Sequence, residues 1–358
     1  MPSTSLITPE TTYICVCTYQ RNDLLRGLLR SLRAQQLSGS EASAIGPGEH
    51  ASPCLEGAGT EETGTEETGT EDAGAEGTGA ETQIQAPGIA GHAASPQLIV
   101  VDNAPEASAA DVVSAEYPGA RYVHEPRPGI AVARNAALEA LPGDATAVVF
   151  IDDDERADPV WLRALVDCAN RSGADTVSGP VRSVFPEGAP AGLEASGYIR
   201  RTDFPTGPWT YRPATNNVLV RSSWFLEPSG FRFDEAFNLT GGEDSDLFER
   251  MQAAGARSWW CAEAVVSEDV PWERTTRAWM RQRGIRAGHV RALKLAKRGA
   301  RPWRVGAETL ARAAAGTARI AGRRARGRRV RYIDSAYLTE ALGMWQSLRG
   351  RAEDEYRR

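Results

Sequence analysis

A chain of 358 residues, 41% hydrophobic and 25% charged, has globular proportions and room for two domains or one domain with an appendage. No run approaches the roughly 20 consecutive apolar residues of a membrane span, and MPSTSLITPETTYICVC lacks the basic n-region of a secretory signal. Five scattered cysteines (Cys15, Cys17, Cys54, Cys168, Cys261) argue against a disulfide scaffold or a CxxC…CxxC zinc site and fit a reducing cytoplasm, while the net charge of −6 conceals a strong division along the chain.

Tyr13 to Tyr19 (YICVCTY) reads as a buried strand, with Cys15 and Cys17 packed on one face. Asn22 or Asp23 can cap the next helix, whose Leu24, Leu25, Leu28, Leu29 and Leu32 form one apolar stripe. Residues 38 to 96 then carry eleven Asp/Glu and no Lys/Arg, and include the near-repeat GTEETGTEETGTEDAGAEGTGAET. So little apolar surface cannot offset the entropy of ordering, and the segment reads as a disordered insertion. It is either a tolerated surface insertion or an acidic piece that competes with anionic partners for the basic tail.

Leu98 to Val101 (LIVV) reads as a second buried strand ending in Asp102-Asn103, and Tyr122-Val123 as a short third. Gly129 to Leu141 reads as a helix. Ala147 to Ile151 (AVVFI) is a strong strand running into Asp152-Asp153-Asp154, after which Asp158 caps a helix with Pro159 at its first position. Strands alternating with helices predict an α/β fold with a doubly wound, mostly parallel sheet. Ligands bind at the carboxyl ends of such strands, and there lie Thr18, Asp102 and Asp152 to Asp154.

Three adjacent acids repel unless a positive group sits among them, and carboxylate oxygens suit Mg2+ or Mn2+. The other reading is an acidic turn that caps the next helix. No GxxxxGK[ST] loop or GxGxxG follows a strand, so the usual nucleotidase and dinucleotide folds are unsupported. Gly241-Gly242-Glu243-Asp244-Ser245-Asp246 opens a further helix. Its acids serve either as ordinary N-terminal residues favoured by the helix dipole or as a general base facing the strand ends.

In chain order TYICVCTYQRNDLLRGLLRSL, LIVVDNAP, RPGIAVARNAAL, VVFIDDDERADPVWL, NNVLVRS and GGEDSDLFERMQAAG resemble family 2 glycosyltransferases of the GT-A fold. The nearest resemblance is to bacterial enzymes of succinoglycan-type exopolysaccharide and cell-wall glycan assembly. It covers residues 12 to 285 apart from the insertion, and the ending GMWQSLRGRAEDEY is similar too. The resemblance implies that Thr18 borders the nucleotide pocket, that Asp102 contacts the base, and that Arg134 lies near base and phosphates. Asp152 would lie near the ribose and Asp154 would hold the metal on the diphosphate, with Asp152 a possible second ligand. Asp244 would be the catalytic base, with Glu243 beside it on the donor side. Asp153 receives no firm role.

The implied reaction is an inverting single displacement that moves one sugar from a UDP-, GDP- or dTDP-sugar to a saccharide or lipid-linked acceptor. An inactive sugar-nucleotide-binding or scaffold protein of the same fold is the alternative, and the intact acidic pairs favour the enzyme. Many relatives carry a His where this chain has Glu268 and Asp269, so Glu268 is either an oxygen ligand or a plain loop acid. The QxxRW of processive synthases is absent, which favours one transfer per encounter. The four histidines form no ligand pattern.

Residues 281 to 331 carry seventeen Lys/Arg and one acid, Glu308. Nucleic-acid binding, a solvated charged face and attraction to anionic lipid headgroups are the three readings. Few aromatics and no nucleic-acid fold favour the lipid reading, hence a cytoplasmic protein peripheral on the inner membrane face. The expected organisation is a tail at 1–11, a GT-A domain at 12–37 and 97–280, the insertion at 38–96, and a basic helical region at 281–358.

Overall fold

A computed structural model of the chain describes residues 6–37, 96–190, 193, 204–238 and 240–350. The insertion read as disordered lies outside these. The first half alternates as expected: β1 (Thr12–Thr18), α1 (Asn22–Arg33), β2 (Gln97–Asp102), α2 (Ala110–Glu116), β3 (Arg121–His124), α3 (Ile130–Glu139) and β4 (Ala147–Ile151). Then come β5 (Glu155–Ala157), α4 (Trp161–Ser172), β6 (Thr176–Ser178), β7 (Val181–Val184), β8 (Gly207–Pro208) and β9 (Asn217–Arg221). The remainder is α5 (Glu243–Ala253), β10 (Ser258–Trp260), β11 (Val266–Asp269), α6 (Arg277–Lys297), α7 (Pro302–Ala325) and α8 (Ala336–Leu348).

Eight strands form the main sheet in the order β3-β2-β1-β4-β9-β6-β10-β8. β3, β2, β1 and β4 run parallel, while β9 is antiparallel to both β4 and β6. Side chains alternate across the sheet, so β1 and β2 feed two cores. Ile14, Val16, Leu98 and Val100 pack with α1 and α4, whereas Cys15, Ile99 and Val101 pack with α3 and α5. Helices on both faces of a mostly parallel sheet are the predicted architecture.

Register aligns the chemistry. Thr18 pairs with Asp102, and Ile151 pairs with Asn217 on the antiparallel neighbour. The ends of β1, β2 and β4 and the start of β9 therefore share one edge. A second sheet, β5-β11-β7, pairs Glu268 with Glu155 and brings β11 beside the turn that follows β4.

Several local expectations need correction. Leu24 is 43% exposed, because Leu25, Leu28, Leu29 and Leu32 already complete the buried face of α1. Helix α4 starts at Trp161, whose N–H is accepted by the Asp158 carbonyl and not by its side chain. Within the expected tail, Ile7 is docked: it is buried, and its backbone N–H and C=O both bond the Asn170 side chain. Helix α6 runs unbroken through residues 280 and 281, so the expected boundary falls inside an element.

The basic region is helical, and many of its charges are paired. Arg319, Arg323 and Arg331 surround the fully buried Asp334; Arg312 pairs with Glu340; and Lys294, Arg298 and Lys297 reach Glu249 and Asp234. Helices α6 and α8 cross at bare backbone. A Cβ on Gly288 would strike the Glu340 carbonyl, and one on Gly343 the Ile285 carbonyl.

Asn217 ties the sheet edge together. Its Oδ1 accepts from Trp161 Nε1 at 2.8 Å, and its Nδ2 donates to the Pro180 and Ala264 carbonyls at 3.1 and 2.8 Å. Asn217→Ala leaves the Trp161 indole N–H and the Ala264 carbonyl unpartnered, while the Pro180 carbonyl keeps the Val266 N–H, at about 1–3 kcal/mol for each orphaned group and less than their sum in total. We expect a loss of about 3 kcal/mol in urea unfolding. A change within about 0.5 kcal/mol, as at an ordinary surface site, would refute the role of this hub.

Candidate active site

The carboxyl ends of β1 and β4 open into a cavity of about 920 Å3. Its floor carries Thr18 and Asp152 to Asp154. Thr18 Oγ1 donates to Asp153 Oδ2 at 2.8 Å. Arg21 Nη1 lies 3.2 Å from Asp153 Oδ1 and 3.5 Å from Asp154 Oδ2. Asp153, which the sequence left without a role, is thus the buried acid that ties β1 to the acidic turn. Burial holds its carboxyl above the usual range, against the pull of Arg21 and Thr18.

One wall comes from α3 and α5. Gly129 enters α3 at φ 139°, against the Asn238 side chain, where no Cβ would fit. Asn238 Oδ1 in turn accepts from the Val132 N–H at 3.1 Å. This entry places Arg134 in the cleft, 7% exposed, in an ion pair with Glu243 and 3.5 Å from Asp152 Oδ1. The arginine expected near base and phosphates is therefore committed to two carboxylates. Gly241 and Gly242, at φ 71° and 92°, turn the chain sharply into α5. Asp244 follows in the first turn and lines the cavity. Burial pushes the Glu243 carboxyl up against the pull of Arg134, and its Oε2 has no hydrogen-bond partner among the described residues.

The opposite wall is the small sheet. Glu268, on β11, is 6% exposed and pairs with Arg274, whose Nη2 lies 3.5 Å from Asp154 Oδ2. The last wall is one face of α6, where Trp279, Gln282, Arg283, Arg286 and His289 recur at helical spacing. Two of these arginines were read from sequence as tail charge.

Thr18, Arg134, Asp152, Asp154, Glu243 and Asp244 come together as the sequence predicts, with Glu268 among them. Asp102 does not join them. Its fully buried carboxylate accepts from the Ala104 and Ala109 N–H groups at 3.0 and 2.7 Å and from Tyr122 Oη at 2.9 Å. It organises the turn after β2 and does not line the cavity. Asn103, its neighbour, lines the cavity and holds the 125–129 loop through the Glu125 and Arg127 carbonyls and the Gly129 N–H.

The residues fit a hard divalent cation by chemistry. Asp152, Asp154 and Glu268 offer carboxylate oxygens only. Burial on the cleft floor, with Asp154, Asp153 and Glu268 nearby, pushes the Asp152 carboxyl up to about 7 against the pull of Arg134. Among the described residues no three acidic, His or Cys side chains converge on one point. Mg2+ commonly needs no such cage, since one or two carboxylates plus substrate phosphates complete its shell.

Residues 94–226 match the family model described as Glycosyl transferase family 2. Over 206 residues the chain is 34% identical to the succinoglycan biosynthesis protein ExoM of Rhizobium meliloti (strain 1021), a match covering 56% of this chain and 66% of that protein. The chain thus spans just under two thirds of that relative's length. S. aureus TarS 1-349 in complex with UDP superposes with a TM-score of 0.47 at 12% identity, covering 95% of this chain and 91% of that one. A second S. aureus TarS structure gives a TM-score of 0.45 at 14% identity, covering 77% and 39%. Both structural likenesses are too remote to carry more. By sequence, residues 94–226 thus carry a glycosyl transferase family 2 domain.

Proposed function

We propose that the chain is an inverting glycosyltransferase that moves one sugar from a nucleotide-sugar to a saccharide or lipid-linked acceptor in exopolysaccharide or cell-wall glycan assembly. The observation that carries this reading is the meeting of Asp244, Arg134, Asp152 and Asp154 in one cleft, at the strand ends where a donor diphosphate would lie.

Asp244 stands at the start of α5 as the base. Its carboxylate takes the proton of the acceptor hydroxyl, and that oxygen bonds the anomeric carbon from the face opposite the diphosphate. The bond from that carbon to the phosphate oxygen breaks, its electron pair leaves on the nucleoside diphosphate, and configuration inverts. Arg134, pinned by Glu243, acts through Asp152, whose carboxylate it keeps beside Asp154. Asp154, with Asp152, would hold a divalent cation, which supplies positive charge to the departing diphosphate. Holding donor and acceptor in line supplies much of the remaining rate.

A thermal-shift screen of UDP-, GDP- and dTDP-sugars with Mn2+ identifies the donor. With that donor, Asp244→Asn should leave donor affinity nearly unchanged and lower turnover about 10²-fold or more, the usual worth of a positioned base. NMR of the product should show an inverted anomeric centre. A retained centre sinks the single displacement, and lost donor affinity with turnover intact moves Asp244 from catalysis to binding.

An anionic membrane surface is proposed as the second partner, on one specific observation. Helix α7 presents Trp303, Ala307, Leu310, Ala314, Ala318 and Ala321 outward; Trp303 is 66% and Leu310 72% exposed. Arg301, Arg304 and Arg324 to Arg329 flank this apolar strip. Among the described residues no helix is long and apolar enough to cross a membrane, so an interfacial helix is the geometry supported. The chain should pellet with vesicles containing anionic lipid, release as salt rises, and lose binding on joint Trp303→Glu and Leu310→Glu substitution. Equal, salt-insensitive binding to neutral vesicles overturns this reading.

A further inference from the structure

Arg274 occupies an unexpected place for a basic residue in a cleft meant for a cation. It sits in the single turn Trp272–Thr275 between β11 and α6. One guanidinium nitrogen pairs with Glu268 Oε1, and the other lies 3.5 Å from Asp154 Oδ2. Arg21 reaches that same Asp154 oxygen at 3.5 Å from the other side. Behind Arg274 stands the Trp279 ring, with the guanidinium carbon 5.9 Å from its centroid. The turn itself is fastened. Thr275 Oγ1 donates to the Trp272 carbonyl at 2.7 Å, and Thr276 Oγ1 accepts from the Trp279 N–H to start α6.

Asp154 and Glu268 are thus neutralised from within. Both are largely buried, their side chains 12% and 8% exposed, and a single guanidinium spans them. A bare divalent ion approaching Asp154 meets positive charge already on its oxygens, in surroundings where water screens poorly. A divalent ion that arrives with a diphosphate brings an anion as well. The arginine fork matches phosphate oxygens in bidentate fashion as readily as it matches carboxylates. We propose that Arg274 makes cation binding conditional on the donor diphosphate: it is the resident counter-ion of Asp154 and Glu268, and it passes onto the diphosphate when ion and nucleotide bind together.

The two ligands are then positively coupled through one side chain, and by linkage each raises the affinity of the other equally. Arg274 acts here as a positioning residue, because it sets when the acids become available. The inference rests on the reading of Asp154 as the metal-binding acid, and the test separates the two.

Mn2+ alone is titrated into the full chain, and bound ion is followed by electron paramagnetic resonance. Arg274→Gln should bind Mn2+ about tenfold tighter than the parent, roughly what removing one adjacent like charge yields in a partly screened site. The gain should vanish in Arg274→Gln combined with Asp154→Asn. Arg274→Lys, which keeps the charge, should stay near the parent. Arg304→Gln removes a charge from α7, outside the cleft lining, and should change Mn2+ affinity less than threefold. With saturating Mn2+, whichever of UDP, GDP and dTDP the parent binds should bind Arg274→Gln about tenfold more weakly. A substitution that merely loosened the turn would weaken both ligands, so the opposite signs are diagnostic. If the Gln variant fails to fold, Arg274→Met keeps the aliphatic stem on Trp279 and takes the same measurements. Unchanged or weaker Mn2+ binding in a folded variant, or unchanged nucleotide affinity, overturns the inference and leaves the metal reading standing. Mn2+ bound by neither protein, alone or with any of the three nucleotides, removes both.

Discussion

Carboxylates that share a cleft must be neutralised before the chain can fold around them. Asp152, Asp153, Asp154, Glu243 and Glu268 all line the same cavity, and leaving them charged and unpaired in a dry site would cost far more than the few kcal/mol by which a domain is stable. The fold answers with guanidinia from three separate elements. Arg21 comes from the turn after β1, Arg134 from α3, and Arg274 from the approach to α6. Each also does geometric work, since an ion pair with two carboxylates fixes both. The result is a preassembled cleft in which three guanidinia tie together five carboxylates, and a ligand enters by exchanging partners with groups already in place. Pairing of this kind contributes little net stability, because desolvation offsets most of the attraction. Its value lies in order.

The same balance explains which parts of the site could be read from sequence. The triple acid after AVVFI and the Glu-Asp pair after two glycines are local signals, each fixed to the end of one element. A strand end or a helix start is enough to place them. Asp102 had the same kind of signal and a different fate, because the N–H groups of Ala104 and Ala109, two and seven residues further on, capture its oxygens. An acid at a strand end can serve a ligand or its own turn, and composition does not distinguish them. Arg274 and the α6 face carry no local mark at all. They reach the cleft because β11 lies against β5 and α6 crosses above, which is a fact of topology.

Only part of the basic run stays an open charged surface, for a related reason. Seventeen positive residues with one acid look like a single electrostatic body when only neighbours in sequence are counted. In the folded chain their partners come from a distance: Asp334 and Glu340 from the end of the helical hairpin, Glu249 and Asp234 from the catalytic domain. What remains on the surface is a smaller set of arginines around the apolar strip of α7. The fold class, by contrast, was legible throughout. Strand periodicity, strand-end polarity and the order of elements all agree, and what escaped were the reversed strands β9 and β8 and the short second sheet.

The crossing of α6 over α8 has one more consequence. Gly343 does not line the cleft, yet it determines where the roof can sit, because the Ile285 carbonyl of α6 rests directly on it. Any larger residue there would have to lift α6, and with it Arg283 and Arg286 on the opposite side of the same helix. The headroom of the cleft is therefore gauged by a position outside its lining, and drift in the size of what the cleft admits among descendants of this chain has a route that leaves every lining side chain untouched.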